Sequence, residues 1–210
     1  MNANWSSSKR HYILFEKLKE LPDLKVVLIG LPWGGGTIDE IKALAQYYGV
    51  GNQLTILELI PYEEVIKMTA QSKIGLLLSL KEGSNRAIPE CLFCDVPAIV
   101  LTQNIGGVKK VINPQTGLHV TEDKLVWAIR FMLDNLNSYS PRKWALDHIS
   151  CLVTTGNLNS GLREYALSRG EPWTRDIVPR TNAPESKYYN AGDEEEYKMD
   201  NFNLKEYFRA

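Results

Sequence analysis

Apolar and polar positions along the first 120 residues fall into two alternating patterns. Near-continuous apolar runs of strand length occur at LKVVLI (24–29), LTILEL (54–59), KIGLLLSL (73–80) and VPAIVL (96–101). Runs of this kind suit parallel strands covered on both faces. Between them, apolar residues recur at helical spacing. Leu14, Phe15, Leu18 and Leu21 line one face of the first such stretch, and Ile38, Ile41, Leu44, Ala45 and Tyr48 line the second; 62–71 and 87–93 come next. The punctuation agrees: Ser6 to Ser8 can cap the first helix and Pro22 stops it, while Thr37 and Glu40 form a capping box. This order predicts an α/β fold, a Rossmann-like parallel sheet with helices on both faces.

Beyond Thr116-Gly117-Leu118 the pattern changes. Residues 122–136 read as a helix with Leu125, Ile129, Met132 and Leu133 inward, and 141–169 as one or two more. From Gly170 the chain is proline-rich and aperiodic, and 193–196 is an acidic run, DEEE, read as a solvated or flexible segment. Trp173, Ile177, Tyr188 and Tyr189 make the stretch too apolar for a free tail, so it is expected to lie over another surface. The division expected is a Rossmann-like domain over 1–150 and a helical and irregular C-terminal extension over 151–210.

Composition narrows the class. The chain has 210 residues, 44% of them hydrophobic and 23% charged, ordinary values for a globular protein with a real core. A formal net charge of −1 gives no electrostatic case for nucleic acid or an anionic membrane as partner. No apolar run approaches the ~20 residues of a membrane span, and no signal-peptide pattern opens the chain. Three cysteines, an odd number, argue against a disulfide framework and fit a reducing cytoplasm.

The chemistry concentrates in EGSNRAIPE (82–90), where Glu82 and Glu90 bracket a Gly83-Ser84 step. The context is strand, tight loop, then helix. Gly83 lets the backbone turn, and the helix start behind it offers unpaired N–H groups at Ser84, Asn85 and Arg86 to an anion such as a diphosphate. Each glutamate can accept hydrogen bonds from sugar hydroxyls, and Arg86 can pair with phosphate. The layout suits a nucleotide sugar.

At these residues the chain resembles the retaining glycosyltransferases of GT-B fold, most closely the family-four group, whose signature is two glutamates with seven residues between. Ser79-Leu80-Lys81-Glu82-Gly83 resembles the entry to that motif, and Phe93-Cys94-Asp95-Val96-Pro97-Ala98-Ile99 resembles the family's segment just after it. Gly106-Gly107 and Thr116-Gly117-Leu118 match later family positions. The resemblance covers roughly residues 1 to 150. It implies one half of a GT-B fold, the donor-binding half, in a retaining, hexosyltransferase-like enzyme that needs no metal or other cofactor. It assigns Glu90 to the ribose hydroxyls, Glu82 to the donor sugar as the catalytic-site carboxylate, Lys9 to the diphosphate and the backbone of Ile60 to the base.

Three departures stand out. The family's arginine would fall near Asn4, Glu58 stands where a glycine is usual, and Lys110 stands where a glutamate is common. The resemblance also implies a missing N-terminal acceptor domain. The chain is therefore expected to be a C-terminal half, cut or naturally truncated, that binds donor but does not transfer sugar alone. The rival is a non-catalytic module, derived from such an enzyme, that binds a nucleotide sugar or a protein.

Other motifs compete poorly. Cys91 and Cys94 form C-x-x-C, but both are expected mid-helix among apolar neighbours, as packing residues. The run from Gly30 to Gly36, with Glu58 ending the next strand, resembles a dinucleotide fingerprint, yet Pro32 and Trp33 bulk up its turn and the spacing to Glu58 is long. His11, His119 and His148 are scattered, without the spacing of a metal site.

Overall fold

The computed structural model describes residues 1–83, 85–181 and 186–197. The chain divides into two compact units, Met1–Ala145 and Leu146–Ala210.

In the first unit, the strands are β1 (Val26–Gly30), β2 (Leu54–Glu58), β3 (Gly75–Leu77), β4 (Ala98–Leu101) and β5 (Gly117–Val120). All the pairings are parallel: β1 with β2, and β3–β4–β5 in that order. The helices between them are α1 (His11–Leu18), α2 (Ile38–Tyr48), α3 (Tyr62–Ala70), α4 (Ala87–Phe93) and α5 (Leu125–Asp134). One hydrophobic core joins Leu28 of β1, Leu76 of β3 and Ile99 and Leu101 of β4 to Phe15 and Leu18 of α1 and to Ile129 and Met132 of α5.

Several local details differ from the expected ones. Residues 1–5 carry no strand signal, yet they run parallel to β1, with Ile29 N–H donating to Met1 O and Ala3 N–H to Ile29 O. The approach is close enough that a Cβ on Gly30 would lie 2.2 Å from Ala3 O, so only glycine fits there. Ser6 caps a short 3₁₀ turn, Ser7–Lys9, rather than α1. Arg10 then takes a left-handed conformation (φ 57°), and α1 starts at His11 without a side-chain cap. β5 lies beyond the last apolar run, because four residues including His119 are too few to show one. The 73–80 run supplies only three ladder residues, and its far end pairs again through Lys81 and Ile105. The capping box at Thr37 and Glu40 forms as expected. Cys91 is buried, its thiol pushed up to about 12 by burial; Cys94 sits at the C-cap of α4 rather than mid-helix.

Helix α6 (Pro141–His148) spans the boundary between the units. In the second unit, α7 (Cys151–Ser168) is capped by Ser150. The aperiodic stretch after it lies along α7. The buried Asn159 side chain exchanges two hydrogen bonds with the backbone of Ile177, at 2.8 and 2.9 Å, and Arg163 pairs with Asp176 at 2.7 Å. The acidic run begins a short helix, α8 (Asp193–Tyr197). Among the described residues, no helix is long and apolar enough to cross a membrane.

His11 is 3% exposed, and its Nε2 has no hydrogen-bond partner among the described residues. Burial, assisted by the Met1 ammonium and Lys9, holds its pKa down at about 4. Above pH 6.5 the imidazole is neutral folded or unfolded. Between pH 6.5 and 4 only the unfolded chain takes up the proton, so stability falls as pH drops through that window. Between pH 7.5 and 5 this group should remove about 2 kcal/mol of unfolding free energy. Urea unfolding of the native chain and His11→Phe at both pH values checks this: the variant should lose measurably less.

Candidate functional site

Glu82 is an anchored carboxylate, its side chain only 9% exposed. Lys9 Nζ lies 2.6 Å from its Oε1, and the Ser79 hydroxyl donates to the same oxygen at 2.6 Å. The backbone is held as well: Glu82 N–H donates to Ile105 O, and Asn104, fully buried, donates to Ser79 O. Gly106 closes over the loop, where a Cβ would lie 2.5 Å from Glu82 O. That contact gives Gly106 a steric reason, whereas Gly107 has open space where a Cβ would stand.

Glu90 is held differently. It sits in the first turn of α4, with its side chain 19% exposed. The Tyr62 hydroxyl, from the first position of α3, donates to its Oε1 at 3.2 Å, and Arg86 approaches that oxygen at 3.8 Å. Burial raises the carboxyl's pKa; the Tyr62 hydrogen bond and Arg86 pull it partly back. On both glutamates the protein engages Oε1, and no partner for Oε2 is recorded among the described residues.

The loop between the glutamates is mostly open. Gly83 has free space where a Cβ would stand, and Ser84 lies outside the described residues. The Asn85 side chain is engaged at the helix start, accepting from Ile88 N–H at 2.9 Å. One amide of the helix start is thus already taken. The Arg86 side chain is 57% exposed. Ile60 is half-buried and comes after Leu59, which is 70% exposed and held at φ 54°. A bulky side chain at that angle stores roughly 1–3 kcal/mol of strain.

Lys9 and Glu82 thus come together, as do Arg86 and Glu90. Sequence reasoning passed over Tyr62, which holds the Glu90 carboxylate, and Asn104, which holds the backbone at Ser79; neither belongs to a spaced motif. Glu58, the acidic residue of the dinucleotide alternative, accepts a hydrogen bond from the Trp5 indole instead. Lys109 folds back onto Thr102 O, and Lys110 is exposed on the same 3₁₀ turn, Gly107–Val111. Among the described residues, no three His, Cys, Asp or Glu side chains gather as metal ligands. A cavity of about 340 Å³ opens at the opposite ends of β1 and β3, lined by Val26, Ile74 and Leu133 among others, and contains none of these candidates.

Residues 8–143 match the family model described as Glycosyl transferases group 1, and the chain belongs to that family. Comparison with curated proteins gives no match. Among solved structures, it resembles sucrose-phosphate synthase from Thermosynechococcus elongatus (TM-score 0.67, 18% identity, 80% of this chain and 45% of that one). It also resembles HepE from Anabaena in complex with UDP-glucose (0.65, 18%, 80% and 48%). The C-terminal domain of a group 1 family protein from Francisella tularensis aligns over 69% of this chain and 80% of its own (0.56, 18%). The fold is therefore half of a GT-B glycosyltransferase, and the chain spans about half the length of the sucrose-phosphate synthase and HepE chains.

The Lys9–Glu82 pair is sufficiently buried that losing one partner strands the other charge. Lys9→Met should cost on the order of 2–3 kcal/mol, below the full penalty for a buried pair because Lys9 keeps some solvent. Adding Glu82→Gln to that variant should recover part of the loss. Urea unfolding of the four-protein cycle measures the coupling; simple additivity would show that the pair is not coupled.

Proposed function

We propose that this chain binds a nucleoside diphosphate sugar at the loop joining β3 to α4 and supplies the donor side of a retaining glycosyltransferase. The observation that carries the reading is the state of the two glutamates. Each is pinned through one oxygen, and the other has no hydrogen-bond partner among the described residues and is open to a ligand hydroxyl. Glu90 takes the ribose and Glu82 the sugar. Lys9 uses one of its three donors on Glu82 and keeps two for the diphosphate, which lies along 83–86 with Arg86 at its edge. The backbone of Ile60 meets the base. That HepE is seen with UDP-glucose supports this reading, as does membership of the family.

In such a site the protein's contribution to transfer is positioning and charge stabilisation. The departing diphosphate gathers negative charge, and a fixed ammonium beside it favours that change without reorganising. Glu82 holds the sugar's hydroxyls while its anomeric carbon becomes cationic. Transfer also needs an acceptor held in attack geometry, which on this reading a second GT-B domain provides. The working compartment proposed is the cytoplasm, and the transferred group a hexose.

A second reading, a binding module without transfer, is favoured by one observation: position 4 is Asn4, whose side chain caps Ser6 N–H, so Lys9 faces the diphosphate without an arginine beside it. Transfer measured with a supplied N-terminal domain separates the two readings.

A thermal-shift panel of UDP-, GDP- and ADP-sugars tests the binding itself. A ligand at a hundredfold excess over its Kd stabilises by about 2.7 kcal/mol. Glu90→Ala should weaken nucleoside diphosphate and nucleotide sugar alike, by roughly 1.5–3 kcal/mol, while Glu82→Ala, which also releases Lys9, should weaken the sugar-bearing ligand more than the nucleoside diphosphate. No stabilisation by any of the panel at millimolar concentration would sink the reading.

A further inference from the structure

We infer that Tyr62 is a positioning residue for nucleotide recognition, acting through Glu90; the inference rests on the donor-site reading. Tyr62 opens α3, directly after Pro61, and so projects from the start of one helix toward the first turn of the next. Its hydroxyl donates to Glu90 Oε1 at 3.2 Å. Arg86, one turn before Glu90 on its own side of the contact, approaches the same oxygen at 3.8 Å. A glutamate has three rotatable bonds, and a half-buried one whose other partner is an exposed arginine at 3.8 Å samples several orientations without a closer anchor. The Tyr62 hydroxyl removes that freedom. It fixes Oε1 against α3 and leaves Oε2 as the oxygen offered to a ribose diol.

Tyr62 also belongs to the segment that carries Leu59 at φ 54° and Ile60. The strained Leu59, the base-facing Ile60 and the Tyr62 anchor thus fall within four consecutive residues. This short connection couples the end of β2 to the carboxylate on α4. A ligand that touches both Ile60 and Glu90 meets two groups whose spacing Tyr62 sets.

The test separates positioning from a merely structural role by removing the diol from the ligand. UDP, GDP and ADP are titrated by calorimetry into the native chain, Tyr62→Phe, Glu90→Ala and the double variant. Each nucleotide is compared with its 2′,3′-dideoxy form. Tyr62→Phe should weaken the ribonucleotide that binds by about three- to tenfold, the range of one hydrogen bond, and leave its dideoxy form unchanged. In the Glu90→Ala background, Tyr62→Phe should have no further effect on either. Equal weakening of the ribo and dideoxy forms, or an unchanged effect without Glu90, would overturn the positioning role while leaving donor binding intact. If no ribonucleotide binds the native chain, both readings fall together.

Discussion

The arrangement of the site depends on one nearly buried ion pair, Lys9 with Glu82. It ties the N-terminal segment to the loop after β3, two parts of the chain 73 residues apart. Other features of the neighbourhood act with it. Arg10 turns the backbone through a left-handed conformation directly after Lys9, and its guanidinium pairs with Glu122 at 2.5 Å. Residues 1–5 run beside β1, Ser79 shares Lys9's oxygen on Glu82, and Gly106 leaves room for the Glu82 carbonyl. An ion pair with this little solvent tolerates no loose partner, because an unmatched charge at such a site is costly.

The two carboxylates of the motif are consequently unlike each other. Glu82 is neutralised by a cation and a hydroxyl at hydrogen-bonding distance. Glu90 is partly desolvated with weaker compensation, and its pKa is raised as a result. The first behaves as a fixed charge inside a preorganised cluster. The second is a partly desolvated acceptor, and on the proposed reading a ligand hydroxyl would replace solvation it has already lost. This division gives a physical basis for assigning them to different parts of one ligand.

Much of this was legible in the amino-acid order, for identifiable reasons. β1, β3 and β4 announced themselves because buried parallel strands must be apolar on both faces; β2 showed the same apolar run although its residues are only partly buried or exposed. The Thr37–Glu40 capping box is local chemistry that spacing alone reveals. The features that could not be read depended on partners distant in sequence. Nothing near Met1 to Trp5 shows that this segment will pair with β1, and the short β5 carries too little signal. Tyr62, Asn104 and the meeting of Lys9 with Glu82 arise from tertiary packing. The motif named the carboxylates; only the fold shows which oxygen of each is already in use.

On the proposed reading, donor ligands enter at the Lys9–Glu82 cluster and the neighbouring loop, and not at the cavity on the opposite ends of the strands. Amide chemical-shift mapping by NMR during titration with UDP-glucose, GDP-mannose and ADP-glucose tests it most directly. Saturating shifts are expected to concentrate at Lys9, Ile60, Gly83, Asn85, Arg86, Glu90 and Gly106. Saturating shifts confined to Val26, Ile74, Leu133 and their neighbours, with the first group unmoved, would contradict it.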